Sequence, residues 1–274
     1  MTNTPAIVRI APGATSRISL RECWAFRDLL YFLIWRDVRV RYRQTLLGAS
    51  WAVLQPLISV VVFTIFFGRV AKIATDGVPY PVFSLAGVVP WTYFASAVAA
   101  GSVALVGQQQ LISKVYFPRL LVPLAAVVTP LIDFAIAFVL LSIVMIGYGV
   151  APSVAVVWLP LFTLLGVATA LAASLWFCAL HVRFRDVRYV TPVLLQLWVF
   201  ASPVVYPASL VPAEWRALYG LNPMVGVIEG YRWALVGGPA PGLTLIPSVC
   251  VVALALVAGL LFFRRVEGTV VDRL

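Results

Sequence analysis

Apolar runs punctuate this chain at about 47–67, 82–106, 120–147, 154–180, 190–206 and 244–263. Each approaches or exceeds the roughly 20 residues that a helix needs to cross the ~30 Å core of a bilayer. In hydrocarbon every backbone N–H and C=O must be satisfied within the protein, so such runs fold as helices. Composition agrees: 62% of the 274 residues are hydrophobic and 11% are charged, against about 25% charged in a soluble domain. The expected fold class is all-α integral membrane, with six transmembrane helices. Residues 1–46 read as a cytoplasmic N-terminus and 47–274 as a single six-span domain.

The charge pattern orients these spans. Cytoplasmic flanks carry the excess of Lys and Arg. With both termini inside, 16 of the 20 basic residues fall on the cytoplasmic side, and only Arg69, Lys72, Arg216 and Arg232 fall outside. The densest cluster is Arg36, Arg39, Arg41 and Arg43, directly before the first run, where it anchors that span. The net charge of +10 therefore belongs to topology. No Lys/Arg block with interleaved aromatics lies outside the membrane flanks, so nucleic acid is not an expected partner. Cys23, Cys178 and Cys250 are isolated and suggest neither a disulfide framework nor a zinc site. Residues 1–20 lack a continuous apolar core, so no signal peptide is expected there and the first run acts as an uncleaved span.

Between the spans the chain is sparing. Residues 21–44 hold LLYFLIW between charges, too short to cross and apolar nearly all round. They read as an interfacial helix on the cytoplasmic surface, partly covered by spans, either resting in the headgroups or with a mechanical role. The loop from Gly107, GQQQLISKVYFPRL, reads as a short helix ending near Pro118. HVRFRDVRYV, from His181, is a tight elbow between the fourth and fifth runs. Anchoring accounts for its arginines, but not for Asp186 or Phe184. The external stretch from Tyr206 to Thr244 is cut by Pro207, Pro212, Pro223 and Gly237–Gly238 into two helical pieces. It reads as a re-entrant outer hairpin before the last span, or as a cap on the outer surface, with Glu229 and Arg232 placed to pair at i,i+3.

Motifs of catalysis are missing. The only lysines, Lys72 and Lys114, follow no glycine, so a P-loop is excluded. No HExxH or GxSxG occurs, and no metal site is expected. The single histidine, His181, sits where a helix C-terminus favours it. Asp133 is the one acid well inside an apolar run. It reads either as a functional intramembrane carboxylate or as one satisfied by a neighbouring helix or kept protonated. The second reading is preferred, because no buried acid or base accompanies it in sequence. Aromatics are abundant at 13%. They serve interfacial belts and lipid-facing bulk, or present flat faces along a pathway, where sugar C–H faces stack weakly.

Several of these segments together resemble a known layout. RYR at 41–43 followed by LLGASWAVLQP is similar to the start of type-2 ABC exporter permeases for polysaccharides, through Arg41, Tyr42, Arg43, Leu47, Gly48, Trp51, Ala52 and Pro56. FRDVR at 184–188 resembles that family's cytoplasmic loop after the fourth span. SPVVYP at 202–207 and LNPM at 221–224 resemble its outer gate region. The likeness runs in order from residue 22 to the C-terminus.

The resemblance implies a permease that forms a homodimer in a bacterial cytoplasmic (inner) membrane. Two copies of a separate ATPase subunit bind ATP and Mg, and this chain holds no cofactor. Phe184, Arg185, Asp186, Val187 and Arg188, with Arg39, Arg41 and Arg43, would couple to the ATPase. Gln108, Gln109, Lys114, Phe117 and Arg119 would line the cytoplasmic entrance for a lipid-linked glycan. Trp51, Trp91, Tyr93, Phe94, Trp198 and Phe200 would line the channel. Pro203, Tyr206, Asn222, Pro223, Glu229 and Arg232 would form the outer gate. Membrane lipids surround the whole.

The favoured cargo is an O-antigen-like glycan, with teichoic acid, capsule or a small molecule as alternatives. A membrane enzyme acting on lipid-linked sugars would need acids or histidines converging near one face. An ion-coupled secondary transporter would need repeat symmetry and several buried ionisable groups. The sequence displays neither set.

Overall fold

The computed structural model describes residues 20–43, 50–73, 75, 77–242 and 244–267. All regular structure among them is helical. α1 (Leu20–Ala25) and α2 (Arg27–Arg43) precede α3 (Ser50–Phe63), which runs on as a wider π-helical stretch to Val70. α4 is Tyr80–Gly107 and α5 is Gln109–Lys114. α6 (Leu121–Val128) and α7 (Leu131–Gly147) follow. A 3₁₀ turn at Val154–Trp158 leads into α8 (Leu159–Arg183), and α9 is Val187–Phe200. Then come α10 (Arg216–Tyr219), α11 (Pro223–Val236) and α12 (Leu245–Glu267).

Five stretches are long and apolar enough to cross a membrane: Ser50–Val70, Tyr80–Gly107, Leu121–Gly147, Val154–Arg183 and Leu245–Glu267. The chain is an all-α integral membrane protein. The fifth expected run is shorter than these five. Its helix, α9, begins at Val187 and ends at Phe200, and its 14 residues rise only about 21 Å. Residues 201–206 continue as turns, because Pro203 and Pro207 withhold N–H groups from a helical ladder. Pro90 lies inside the second run, where a proline ordinarily breaks a helix. Instead α4 continues through it, with close neighbours on every side.

α4 is the central pillar. Val82, Leu85, Val89, Phe94, Ala97 and Val98 are fully buried along it, and α3, α6, α7, α8, α9 and α11 all pack on it. Without a hydrophobic drive between helices in lipid, close approach depends on small residues. Gly101 meets Ser174 of α8 so tightly that an added Cβ would lie 2.4 Å from the Ser174 Oγ. Trp176 of α8 donates its indole N–H to the Ala255 carbonyl of α12 at 3.0 Å and stacks on Phe262.

A second apolar cluster sits at one end of the bundle and joins Leu33 of α2 to Ile112, Phe117, Leu121, Cys178, Val182 and Phe263. Leu33 is 1% exposed, while Trp24, Tyr31 and Phe32 on the same segment lie open. α2 is therefore docked on protein through Leu33, while these aromatic side chains stay exposed.

Candidate functional site

The end of the bundle opposite α2 is organised around Asn222, the N-cap of α11. Its Oδ1 accepts the Met224 N–H at 3.1 Å and the Trp198 indole N–H at 3.0 Å. Its Nδ2 donates to the Ala201 carbonyl and to the Ser202 Oγ, both at 2.9 Å. One amide thus caps α11, with Pro223 suited to the first helical position, and ties it to the end of α9. Pro203, Val204 and Val205 are buried in the turn that follows.

Buried carbonyls in that turn need partners, and side chains from two helices supply them. Arg232 is 6% exposed; it donates to the Val204 carbonyl at 2.8 Å and to the Tyr206 carbonyl at 3.1 Å. The Tyr80 hydroxyl donates to the Val205 carbonyl at 2.7 Å. The Arg232 guanidinium also lies 3.7 Å from the centre of the Phe83 ring, a cation–π contact. Gly87 of α4 makes this possible, since a Cβ there would sit 2.6 Å from the Val204 oxygen. The Tyr206 and Tyr219 hydroxyls meet at 3.0 Å.

The structure thus brings together Pro203, Tyr206, Asn222, Pro223 and Arg232. It corrects the expected pairing of Glu229 with Arg232: no ion pair joins them, because the guanidinium turns to the carbonyls of the buried turn. Glu229 instead accepts from the Thr244 hydroxyl at 3.4 Å. Burial raises its carboxyl above the ordinary range, against the lowering effects of that hydrogen bond and of Arg232 and Arg216. Both residues line a cavity of about 340 Å³ at this end of the bundle, with Phe83, Ser209 and Gly238. Two helical pieces were expected here; α10, α11 and two short 3₁₀ turns are found. α11 ends at Gly237, whose left-handed backbone (φ 69°) suits glycine. Tyr80, Phe83 and Gly87 are not signalled in the sequence as part of this region, although a glycine inside a long apolar run is a visible signal of close approach.

On the α2 side, Phe184–Asp186 form a three-residue elbow between α8 and α9. Phe184, Arg185, Asp186 and Arg188 are exposed and Val187 is half-buried. Arg183 lies over the Phe184 ring and Arg188 over the Tyr189 ring. His181 is buried, with Nδ1 3.0 Å from the Ser102 carbonyl of α4. On α2, Arg39 and Arg43 are exposed, Arg39 over Trp35.

Arg41 turns inward. Its guanidinium and the Tyr42 hydroxyl bind the two carboxylate oxygens of Asp133. This corrects the view that Asp133 lacks a basic companion, for the cation comes from 92 residues earlier in the chain. Burial first, then the contact with Asp133, pushes the Tyr42 phenol up to about 12, so it stays a donor at neutral pH.

The entrance residues divide. Gln108 accepts from Arg36 at 2.9 Å, and Gln109 and Lys114 are exposed on α5. Phe117 is buried in the second cluster. Arg119 donates its backbone N–H to the Glu267 carboxylate at 3.3 Å and its guanidinium to the Glu267 carbonyl.

The six aromatics divide too. Trp51 and Phe200 are 52% and 61% exposed, whereas Phe94 is 0% exposed and Trp91 and Tyr93 are buried. Phe94 packs edge-on against Trp198, with centroids 5.1 Å apart. The Tyr93 hydroxyl donates to the Val127 carbonyl at 3.2 Å. Trp91 and Phe94 are thus interior packing residues in this chain. A cavity of about 310 Å³ between α2, α3, α4 and α7 is lined by Arg41, Trp51, Gln55, Tyr93, Asp133 and Phe134. Among the described residues no three His, Cys, Asp or Glu side chains gather as a metal site would require.

Spanning helices joined by a tight exposed elbow, with a cross-braced turn at the opposite end, define a polytopic helical membrane protein. Its exposed polar chemistry lies mainly at the helix ends. The sequence model of the ABC-2 type transporter family matches residues 28–236, and the chain belongs to that family. It is 33% identical over 216 residues to the O-antigen export system permease protein RfbA of Myxococcus xanthus, covering 78% of this chain and 82% of that one. The protein of the same name from Klebsiella pneumoniae is 27% identical over 212 residues, covering 77% and 81%. The polysialic acid transport protein KpsM of Escherichia coli is 25% identical over 237 residues, covering 86% and 92%.

Proposed function

We propose that this chain is the membrane permease of an ATP-driven exporter that moves a lipid-linked polysaccharide, O-antigen-like in type, across a bacterial cytoplasmic membrane. The observation that carries this reading is the 33% identity over 216 residues to an O-antigen export permease. The sequence contains no P-loop, so ATP and Mg belong to a separate subunit, two copies of which bind a permease homodimer. The exposed elbow Phe184–Arg188, with Arg39 and Arg43, supports docking of that subunit. The exposed apolar faces of α3 and its π-helical extension (Ile58, Val61, Val62, Ile65) and of α9 (Val193, Leu194, Leu197) suit a second copy and lipid.

In this scheme the α2 side is cytoplasmic, in line with the basic flanks. α9 and the turn after it complete a sixth crossing, and α10 and α11 form the re-entrant outer hairpin. Gln108, Gln109 and Lys114 face the entrance. Trp51 and Phe200, exposed in the single chain, line the path between two copies with Trp198 behind them. The turn at Pro203–Tyr206, clasped by Asn222 and Arg232, is the outer gate. ATP-driven closure of the partner subunits presses on the elbow and on α2, and the glycan then threads outward. A capsule-type glycan is the second reading, favoured by the broader match to the polysialic acid transport protein.

The test is to purify the tagged chain from its native membrane and to delete its gene. A co-purifying P-loop ATPase, with lipid-linked glycan accumulating inside the deletion strain, is the expected result. A chain that purifies and transports alone would overturn the reading.

A further inference from the structure

Asp133 is the third residue of α7, just past the break between α6 and α7. Pro130 has no N–H to give there, so the ladder between the two helices is weakened. The Thr129 hydroxyl bonds back to the Ala125 carbonyl at 2.8 Å on the α6 side. A carboxylate in the first turn of α7 suits the helix dipole. Both of its oxygens are taken by consecutive residues of another helix, Arg41 and Tyr42. Consecutive helical residues point about 100° apart, so binding both fixes the end of α2 in rotation as well as position.

α2 is held elsewhere by Leu33 in the second cluster and by Arg36 on Gln108. It packs chiefly on α6, whereas Asp133 belongs to α7. The two arms of the third span are thus gripped separately, on either side of Pro130. Arg41, Tyr42 and Asp133 also form one wall of the 310 Å³ cavity shared with Trp51, Gln55 and Tyr93.

We infer that Arg41, Tyr42 and Asp133 are positioning residues that carry displacement of α2 across the Pro130 break into α7 and so move the cavity wall during transport. This rests on the proposed function as an ATP-driven permease. The exposed arginines of α2 meet the ATPase; Arg41 does not, and passes the motion on.

The test uses the full complex in membrane vesicles, with Asp133→Asn, Arg41→Ala and Tyr42→Phe. Glycan exported and ATP hydrolysed are both measured per assembled complex. The expected result is continued ATP hydrolysis with glycan exported per ATP lowered at least tenfold in the first two variants and two- to threefold in Tyr42→Phe. An unchanged ratio per assembled complex overturns the inference, including when less complex assembles, because that marks a contact that only holds the fold. Should Asp133→Asn fail to assemble, Tyr42→Phe alone decides, since it removes one bond and keeps the ring. A wild-type complex that exports no glycan overturns the proposed function itself. Wild-type export with unchanged variant ratios overturns only the linkage.

Discussion

Trp198 donates its indole N–H to Asn222 Oδ1 at 3.0 Å, joining the last full turn of α9 to the cap of α11. The same amide holds the Ala201 carbonyl and the Ser202 hydroxyl, so one side chain sets where α9 stops and where α11 starts. Asn222→Ala removes a helix cap and the part-buried bonds to the Trp198 indole, the Ser202 hydroxyl and the Met224 N–H, costing about 2–4 kcal/mol in all. The expected outcome is a melting temperature roughly 5–10 °C lower in detergent. Trp198→Phe, which loses one bond and keeps a ring, should cost about 1 kcal/mol. The two losses should add to less than their sum, because both break one shared contact.

Gly87 allows the Val204 carbonyl to approach α4 and keeps room for the Arg232 guanidinium. In Gly87→Ala, overpacking should cost about 1–3 kcal/mol and push the turn at 203–206 away from the helix. A thermal melt measures the first effect. Slower glycan export at equal amounts of protein measures the second.

The elbow offers the opposite case. Asp186 is exposed, and its side chain makes no cap bond to α9. Asp186→Ala should change stability by less than about 0.5 kcal/mol while weakening ATPase docking or coupling. Co-purification of the ATPase and ATP hydrolysed per exported glycan check this. A fully coupled variant would remove the elbow from the docking surface.

Glu229 gives a pH dependence with a definite sign. Burial holds its folded-state pKa above the ordinary carboxylate value. The folded chain therefore keeps this proton in a window where the unfolded chain has lost it, and stability declines as pH rises through that window. Glu229→Gln has no such proton. The melting temperature of the natural chain relative to this variant should fall as pH rises above the ordinary carboxylate range.

Phe200 and Phe94 separate the two uses of aromatics. Phe200 is 61% exposed and Phe94 is fully buried. Phe200→Ala should slow export with little change in melting temperature. Phe94→Ala should cost about 3–5 kcal/mol through the cavity it leaves, with the loss of folded protein measured by size-exclusion chromatography.

What the sequence settled by itself follows from length and period. Apolar runs too long for a soluble domain determine helices, and basic flanks mark the side expected to be cytoplasmic. Local punctuation was legible too: the prolines and glycines around 207–238 mark where helices stop. Partner choice was not legible. Asp133 looked unaccompanied because Arg41 lies 92 residues away, and Glu229 looked paired with Arg232 because three residues of helix separate them. Only packing decided these. The charged and polar side chains in or beside the apolar bundle are drawn to the nearest unsatisfied oxygen in space, and the path between those atoms is set by how the helices cross.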